Sequence, residues 1–589
     1  MRILFSMRHL GSLRMYESVL RRLAAAGHEV RILANRRDDI GSGVNPETLL
    51  ADVPHQWIWA EVHQSAWSDL AAVVGIWLDY LRYLDPRYTP TPRPRMRVGE
   101  WVPSLLRRVS GWPLLRANAG RKALVAVLRS AERAIPRRPE IDALMREYQP
   151  ELVVVTPMLD LGSRQVEVLR SARAFGARTV LSIGGWDHLS NKGRISEVPT
   201  RVLVWNETQV REAAELHRVP LEHLVVTGAQ CYDQWFERAP TRTRTQFCAM
   251  LKLPVERPFL LYACSALYPH DRPETEALFV RRWIAQIRAS DDPLLRSAAV
   301  LVRPHPQRLE EWSEVDLSDL PDVTVHGSLP IDDGSKEDYF DSLYYSAAVV
   351  GLNTSVFVEA AIVGRPVHTV VVPEWKERQV SPLHFVYLTT VGGGLLRMAH
   401  DFDEHRTQLA ASLREPVTAD LNTAFVRAFV RPFGLDRSAT DAFVSAIDDL
   451  GRGDAPARER DPVWAPVLRL ALRPAAFVLQ RIVAHVDAPA DRTLIELKRL
   501  RQRIEYRRER ETERQRRNTE RQSERAERVR RSEAARQEEQ CARQERIAAS
   551  EREKRALRAA REQRKSRHQR GKRRAAVMGQ IKRRLGLGL

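Results

Sequence analysis

The residues best suited to chemistry lie between Arg303 and Glu374. The stretch RPHP at 303–306 directly follows a run of apolar residues, and a proline on each side of His305 restricts the backbone there. A histidine held at the end of a buried strand can donate a hydrogen bond to a diphosphate oxygen or to a leaving group. This position predicts that His305 contacts a phosphorylated ligand.

A second segment, SLYYSAAVVGLNTSVFVEAAIVGRPV at 342–367, has the pattern of a strand, a polar loop and a helix. The loop contains Asn353, Thr354 and Ser355, and free N–H groups at a helix start attract anions. Glu359, one turn into the helix, can accept hydrogen bonds from the vicinal hydroxyls of a sugar. Helix capping by Thr354 or Ser355 explains part of the pattern. It does not explain RPHP in the same domain.

Two further residues are assigned to the same predicted pocket. Ser265 ends the first strand of the second half of the chain and is expected to open the donor site. Arg303 could offset the charge of a diphosphate, or it could pair with a neighbouring acid.

The first half of the chain offers candidates for the catalytic base. His9 follows the first strand in a glycine-containing loop, where a base and an ordinary loop histidine are equally open readings. Asp187 and His188 lie in GGWDHLSNKG at 184–193, again after a strand. Contact with an acceptor or phosphate is favoured there over plain turn chemistry.

Two parallel sheets are expected to bring these residues together. A strand, a helix stopped by Gly27 and a second strand form a βαβ unit at the start of the chain. Further apolar runs alternate with helical stretches and are expected to be strands: 152–156, 178–183, 201–205, 224–227, 258–264, 298–303, 323–326, 347–351 and 367–372. The pattern predicts an α/β protein with two Rossmann-like doubly wound domains, whose ligands lie at the carboxyl ends of the strands.

The predicted organisation has five parts: an N-terminal Rossmann-like acceptor domain at 1–240 with a Trp-, Arg- and Pro-rich insert at about 51–139, a nucleotide-donor domain at 255–450, a linker at 451–462, an amphipathic helix at 463–487 and a basic charged helix or tail at 490–589. A helix at 66–84 is expected within the insert. Core packing against the sheet is favoured for it over membrane or acceptor contact. For 463–487, an interfacial membrane helix and a helix closing over the second domain remain equal alternatives, and Pro474 is expected to kink it.

The motifs RPHP and SLYYSAAVVGLNTSVFVEAAIVGRPV together resemble the donor domain of GT-B surface-polysaccharide transferases. They are similar to relatives of CDP-glycerol glycerophosphotransferases and of the UDP-N-acetylglucosamine 2-epimerase fold. The opening MRILFSMRHLGSLR and the loop GGWDHLSNKG resemble the same group, over about residues 1–440. The resemblance implies nucleotide-diphosphate and sugar contacts for His305, Thr354, Ser355 and Glu359.

Two departures limit what the resemblance implies. The HGTP-type loop that carries a catalytic histidine in glycerophosphotransferases is missing, and His9 or the pair Asp187 and His188 are its only positional analogues. There is no DxD motif, so no metal or other cofactor is expected, with the nucleotide-sugar as co-substrate.

The positive charge of the chain is confined to its end. From Arg492 onward there are 34 Lys and Arg against 15 Asp and Glu, which equals the whole net charge of +19. Glu and Arg recur three or four residues apart there, which favours a single charged helix over a sustained coiled coil. An anionic membrane is the expected partner of this tail. Nucleic acid is disfavoured because Tyr506 is the only aromatic residue among the charges.

The compartment follows from what the sequence lacks. The four cysteines show no CxxC pair, the N-terminus has no signal-peptide pattern, and no apolar run reaches the length of a membrane span. These features predict a cytoplasmic protein, peripheral at the inner membrane face.

The expected activity is sugar transfer from a nucleotide-diphosphate donor to a surface glycan or glycolipid. CDP-glycerol-type glycerophosphate transfer and a non-catalytic scaffold of the same fold are the alternatives.

Overall fold

The structure is a computed structural model. It describes residues 1–34, 44–59, 65–89, 91–265, 275–312, 315–317, 319–414, 419–484 and 544–584. By its internal contacts the chain divides into two units, Met1–Leu494 and Ile495–Leu589.

The first sheet is wholly parallel and has seven strands in the order β3-β2-β1-β4-β5-β6-β7. Its strands are β1 (Arg2–Met7), β2 (Glu29–Ala34), β3 (Gln56–Trp59), β4 (Leu152–Thr156), β5 (Arg178–Ser182), β6 (Arg201–Val204) and β7 (Leu224–Val226). The middle strands β4 and β5 are buried along their whole length, as expected for a sheet covered by helices on both faces. The strands β2 and β3 lie on one side of β1. The chain then crosses to the other side of β1, where β4 to β7 follow in order.

The second sheet repeats this plan with six parallel strands in the order β10-β9-β8-β11-β12-β13. Its strands are β8 (Phe259–Ala263), β9 (Ala299–Arg303), β10 (Val323–Val325), β11 (Ala348–Val350), β12 (Val367–Val370) and β13 (Leu396–Ala399). Counted from β8, the order is 3-2-1-4-5-6, that of a Rossmann domain. The predicted fold class is therefore confirmed.

Helices connect the strands and cover the sheets. The α-helices of residues 1–484 are α1 (Glu17–Ala25), α2 (Pro46–Leu49), α3 (Ala66–Arg82), α4 (Pro92–Trp101), α5 (Ser104–Ser110), α6 (Pro113–Arg116), α7 (Asn118–Ala134), α8 (Pro139–Tyr148), α9 (Gln165–Phe175), α10 (His188–Asn191), α11 (Glu207–His217), α12 (Asp233–Glu237), α13 (Arg244–Leu251), α14 (Glu276–Arg288), α15 (Pro293–Ser297), α16 (Asp333–Tyr345), α17 (Val356–Ile362), α18 (Lys376–Gln379), α19 (Phe385–Thr390), α20 (Phe402–Arg414), α21 (Ala419–Phe429), α22 (Ala439–Arg452) and α23 (Ala465–Ala484). Short 3₁₀ helices span Leu10–Met15, Pro86–Tyr88, Leu221–His223, Gln230–Tyr232, Pro306–Trp312 and Val391–Gly393.

The predicted stop after the first helix is present. α1 is followed by Gly27 with a φ of +81°, a left-handed conformation that glycine adopts without strain. Two strands were not predicted. β3 lies inside the Trp-rich insert and extends the first sheet, and β13 closes the edge of the second.

After the second sheet, the chain returns to the first domain. Phe443 and Ile447 of α22 are buried in the core cluster that contains β1 and α1. Asp233 anchors this return. It pairs with the buried Arg431 at 2.6 Å and accepts the backbone N–H of Thr440 at the start of α22.

The insert forms a helical layer on the first domain. α3 is buried as predicted, but its main partners are the helices α4, α7 and α23 instead of the sheet. The amphipathic helix α23 runs from 465 to 484 and continues through Pro474. It packs on α3 and α7 of the insert, so it covers the first domain and not the second domain that one of the two alternatives named.

Residues 544–584 of the second unit are helical and almost entirely solvent-exposed. This agrees with the predicted charged C-terminal helix over that part of the chain. The predicted pairs between residues 490 and 543 lie outside the described residues. Within the described ranges, no helix combines the length and the apolar character needed to cross a bilayer.

Candidate active site

A cavity of about 610 Å³ lies where loops from the carboxyl ends of both sheets meet. The first domain lines it with residues that follow β1 and β5, and the second domain lines it with residues that follow β8, β9 and β11. Ligands of open parallel sheets bind at this end of the strands. The cavity is thus where the fold places chemistry.

Most of the sequence-predicted site residues come together here. The residues that line the cavity are Asp187, His188, Arg303, His305, Asn353, Thr354, Ser355 and Glu359. His9 and Ser265 do not line it. The structure thus brings the RPHP segment, the Asn-Thr-Ser loop and the GGWDH loop to one place.

His9 precedes the short helix Leu10–Met15, where its Nδ1 lies 3.4 Å from the hydroxyl of Ser12. The same loop reaches the cavity with Arg14 and Met15. A base role for His9 stays a prediction. The charged residue with which this loop lines the cavity is Arg14.

Ser265 is buried behind the cavity wall. Its hydroxyl donates to the carboxylate of Glu276 at 2.9 Å, and its backbone N–H donates to the same group at 3.0 Å. Burial raises the pKa of Glu276 to about 7, although the hydrogen bonds from Ser265 oppose this rise. Ser265 therefore supports the end of β8, and its neighbour Cys264 faces the cavity.

Arg303 is ion-paired, which was one of its two predicted roles. Its guanidinium lies 2.9 Å from Asp338, donates to Ser342 at 2.7 Å, and sits 5.0 Å from the ring centre of Tyr339. Its side chain is only 6% exposed. The charge of Arg303 is therefore largely matched by Asp338, and its remaining exposed surface faces the cavity.

Glu359 is the acidic residue of the second domain at this site. The hydroxyl of Tyr339 donates a hydrogen bond to it. Burial raises the pKa of Glu359 to about 7, and this rise is opposed by that hydrogen bond and by the charges of Arg14 and Arg303. Arg14 belongs to the first domain, so the electrostatic contact between it and Glu359 spans the cleft.

The segments around Glu359 show which polar groups are already engaged. The side-chain amide of Asn353 donates to the carbonyl of Gln379 at 3.0 Å, so it holds the loop in place. Ser355 occupies the N-cap position of α17 without a side-chain capping bond, and its side chain is exposed. Among the loop residues, Ser355 is thus the hydroxyl most available to a ligand.

His305 follows β9 and lines the cavity. Burial lowers its pKa, and the nearby charges of Arg308 and Arg14 lower it further. The ring is therefore neutral at pH 7, and a neutral imidazole can donate one hydrogen bond and accept another.

Asp187 and His188 are the predicted polar site residues with which the first domain lines the cavity. Burial by itself would raise the pKa of Asp187, but Lys192, His188 and His384 outweigh it and hold the pKa well below the ordinary value. Burial lowers the pKa of His188, against the pull of Asp187. At pH 7 the pair is thus an ionised carboxylate beside a neutral histidine.

The ring of His188 is held against the backbone of the GGWDH loop. A Cβ atom added to Gly185 would lie 2.6 Å from His188 Nε2, so only glycine allows this close approach. Among the described residues, the other ring nitrogen, Nδ1, has no hydrogen-bond partner. This loop therefore fixes the ring and leaves one of its nitrogens unengaged.

Sequence reasoning missed most of the cavity's positive charge. The lining contains the cations Arg14, Arg93, Arg97, Arg238, Arg303 and Lys336, and the acids Asp187 and Glu359. Arg93 and Arg97 lie four residues apart on α4, in the PTPRPRMR stretch of the insert. That spacing puts both on one face of a helix and was the available signal.

The two sheets and the cavity at their carboxyl ends define the class: this is a two-domain α/β protein of GT-B architecture. No protein-family model matches the chain, and no curated protein matches it. Among the described residues, no group of three or more His, Cys, Asp or Glu side chains could hold a metal ion.

Solved structures with a similar fold include both epimerases and glycosyltransferases. The UDP-GlcNAc 2-epimerase from Neisseria meningitidis, solved bound to UDP-GlcNAc, has a TM-score of 0.45 and 10% identity, over 76% of this chain and 100% of that one. A glycosyltransferase from Rickettsia africae has a TM-score of 0.43 and 10% identity, over 77% and 99%. MurG from Acinetobacter baumannii has a TM-score of 0.39 and 12% identity, over 76% and 99%.

Proposed function

We propose that this protein is a glycosyltransferase that moves a sugar from a nucleotide-diphosphate donor to a hydroxyl of a surface glycan or glycolipid. The observation that carries the proposal is the cavity itself. It joins the RPHP and Asn-Thr-Ser segments of one domain to the GGWDH loop of the other, and cations outnumber acids among its charged lining residues. A diphosphate needs such positive charge, and a displacement reaction needs groups on both sides of the reacting carbon.

The second domain and the loop after β1 would hold the donor. Arg14, Lys336 and His305 would contact the diphosphate, since charge-assisted hydrogen bonds to phosphate oxygens are the strong ones. Glu359 would accept hydrogen bonds from the hydroxyls of the sugar or ribose. Its raised pKa fits a group that is protonated in part at pH 7 and becomes fully ionised when a hydroxyl donates to it.

The first domain would activate the acceptor. Asp187 is a poor proton acceptor because its pKa is held low, whereas His188 is neutral and lines the cavity. His188 would take the proton from the acceptor hydroxyl as that oxygen bonds to the anomeric carbon. The bond from that carbon to the diphosphate breaks, and the cations of the cavity stabilise the charge that leaves with the diphosphate.

Isothermal titration calorimetry tests the donor assignment. We expect that His305→Ala and Glu359→Ala each abolish measurable binding of the nucleotide diphosphate that the wild-type protein prefers. The exposed residues His400 and Glu222 give matched controls, and His400→Ala and Glu222→Ala should bind as the wild type does. Unchanged nucleotide affinity in both cavity variants would refute the assignment.

The same titration separates the alternatives when it is run as a panel. Binding and hydrolysis of UDP- or GDP-linked sugars support sugar transfer, and preference for CDP-glycerol supports glycerophosphate transfer instead. A folded protein that binds no nucleotide at all would favour the non-catalytic scaffold.

A further inference from the structure

Helix α23 has two apolar faces, and the described residues cover only one of them. Leu472, Ala476 and Leu479 follow one another at helical spacing and pack into the cluster formed with α3 and α7. This inner face is enough to dock the helix on the insert, since a helix at the surface of a globular protein needs a single apolar stripe.

The outer face of the same helix is apolar as well. Val467, Leu470 and Phe477 are 73%, 71% and 53% exposed. With 3.6 residues to a turn, these three positions lie on the side of the helix opposite to Leu472 and Ala476. Solvent therefore meets a row of large apolar side chains that the fold does not require.

The insert beside α23 carries more exposed apolar side chains. Trp112 and Leu114, at 60% and 80%, lie at α6, and Val127 lies on α7. α6 contacts α7, and α7 contacts α23. Exposed apolar groups that occur singly are ordinary, but a concentration on neighbouring helices marks an interaction surface. We call the outer face of α23 together with α5, α6 and α7 the insert surface.

Apart from Glu132 of α7, which pairs with Arg194, the charges on the insert surface are all positive. Residues 101–131 and 463–484 together contain nine Lys and Arg and no Asp or Glu. One of them, Arg481, lies with its guanidinium 6.0 Å from the ring centre of Phe477. Protein interfaces carry a polar rim of mixed sign around an apolar core, whereas cations beside aromatic and aliphatic groups suit the headgroup layer of an anionic bilayer.

We propose that the insert surface docks the folded protein on an anionic lipid bilayer, with the outer face of α23 lying in the interfacial plane. Apolar side chains enter the headgroup and acyl boundary, and the arginines beside them meet lipid phosphates. This surface consists of residues of the first unit of the chain and includes none of the basic tail. It does not depend on the donor chemistry proposed above.

Vesicle flotation of the full-length chain tests this surface. The vesicles contain equal parts of phosphatidylcholine and phosphatidylglycerol, in about 0.5 M NaCl, where screening weakens purely electrostatic binding by the tail. We expect the wild type to float, and the triple variant Val467→Ser, Leu470→Ser, Phe477→Ser to partition at least about tenfold less, because each substitution removes a buried apolar side chain from the bound state.

A triple variant with exposed apolar residues elsewhere provides the matched control. Leu221→Ser, Met250→Ser and Leu278→Ser remove side chains that are 65%, 45% and 43% exposed, and this variant should float as the wild type does. Equal flotation of the two triple variants, or no flotation of the wild type, would overturn the proposal.

Light scattering distinguishes a protein occupant. If the wild type is a dimer, the triple variant on α23 is a monomer and both float equally, the surface joins two copies of the chain and the lipid proposal is wrong. Should the triple variant on α23 lose its thermal transition, the double variant Trp112→Ser, Leu114→Ser tests the same surface from α6. A tenfold loss of flotation in that variant supports lipid docking, and an unchanged value refutes it.

Discussion

Replacing Glu276 by glutamine should remove a large pH dependence of stability. Glu276 is 2% exposed, and burial raises its pKa from 4.5 to about 7. Because the folded state holds this proton more tightly than the unfolded chain, stability is fully present below about pH 4.5 and is lost as the pH rises to about 7. The difference between 4.5 and about 7, at about 1.4 kcal/mol for each pH unit, sets the loss at about 3 to 4 kcal/mol.

The glutamine side chain keeps the shape of glutamic acid and can still accept the backbone N–H of Ser265, but it has no proton to lose. We therefore expect Glu276→Gln to lose less stability than the wild type between pH 5 and pH 8, approaching about 3 kcal/mol less. Urea denaturation at several pH values measures this difference, with the exposed Glu237→Gln as the matched control. Parallel stability curves for the wild type and Glu276→Gln would show that the carboxyl is not protonated in the folded protein.

Two further substitutions test other parts of the structure. Gly185→Ala places a Cβ 2.6 Å from His188 Nε2 and must displace that ring, so turnover should fall as far as it does in His188→Ala, with nucleotide affinity unchanged in calorimetry. Wild-type turnover in Gly185→Ala would contradict the base role, and Gly75→Ala, which meets nothing within 4 Å, is the control. Arg431→Met leaves the carboxylate of Asp233 buried without its ion-pair partner and should lower the free energy of unfolding by about 3 to 5 kcal/mol. A urea titration showing a loss below about 1 kcal/mol would mean that the pair does not anchor α22.

The buried strands of the two sheets could be predicted because local sequence specifies them. A strand such as β4, LVVVT, is covered on both faces and is therefore apolar up to its last residue, which is visible without any tertiary contact. The same holds for the placement of His305 and His188 after strands. Parallel sheets put all such strand ends at one edge, so the approximate location of the site follows from the order of the elements.

β3 was not predicted because it lacks this apolar pattern. Its four residues, QWIW, are only partly buried at the edge of the first sheet, and they lie inside a segment whose tryptophans and prolines suggested irregular structure. An edge strand is defined by its pairing with β2, which comes from earlier in the chain. Pairing of that kind has no local signature.

The contacts of individual side chains were decided by tertiary structure. The sequence placed Ser265 at the donor site and left Arg303 with either a diphosphate or an acidic neighbour, and the folded chain engages Ser265 with Glu276 and Arg303 with Asp338. Conversely, Arg14 lines the cavity, although the sequence had indicated a role only for His9 in the same loop. Which of several polar neighbours faces a cavity depends on the packing of segments far apart in the chain.

α23 shows the same division between sequence and structure. Its composition established an amphipathic helix with arginines, but two partners for it remained equally open. Only the folded chain shows that Leu472, Ala476 and Leu479 face the insert and that Leu470 and Phe477 face solvent. The sequence by itself determined the buried strands, the amphipathic helix and the segments that carry chemistry, because these depend on residues near one another in the chain. Tertiary structure decided which faces are covered and which charges are paired, because those partners are supplied by distant parts of the chain.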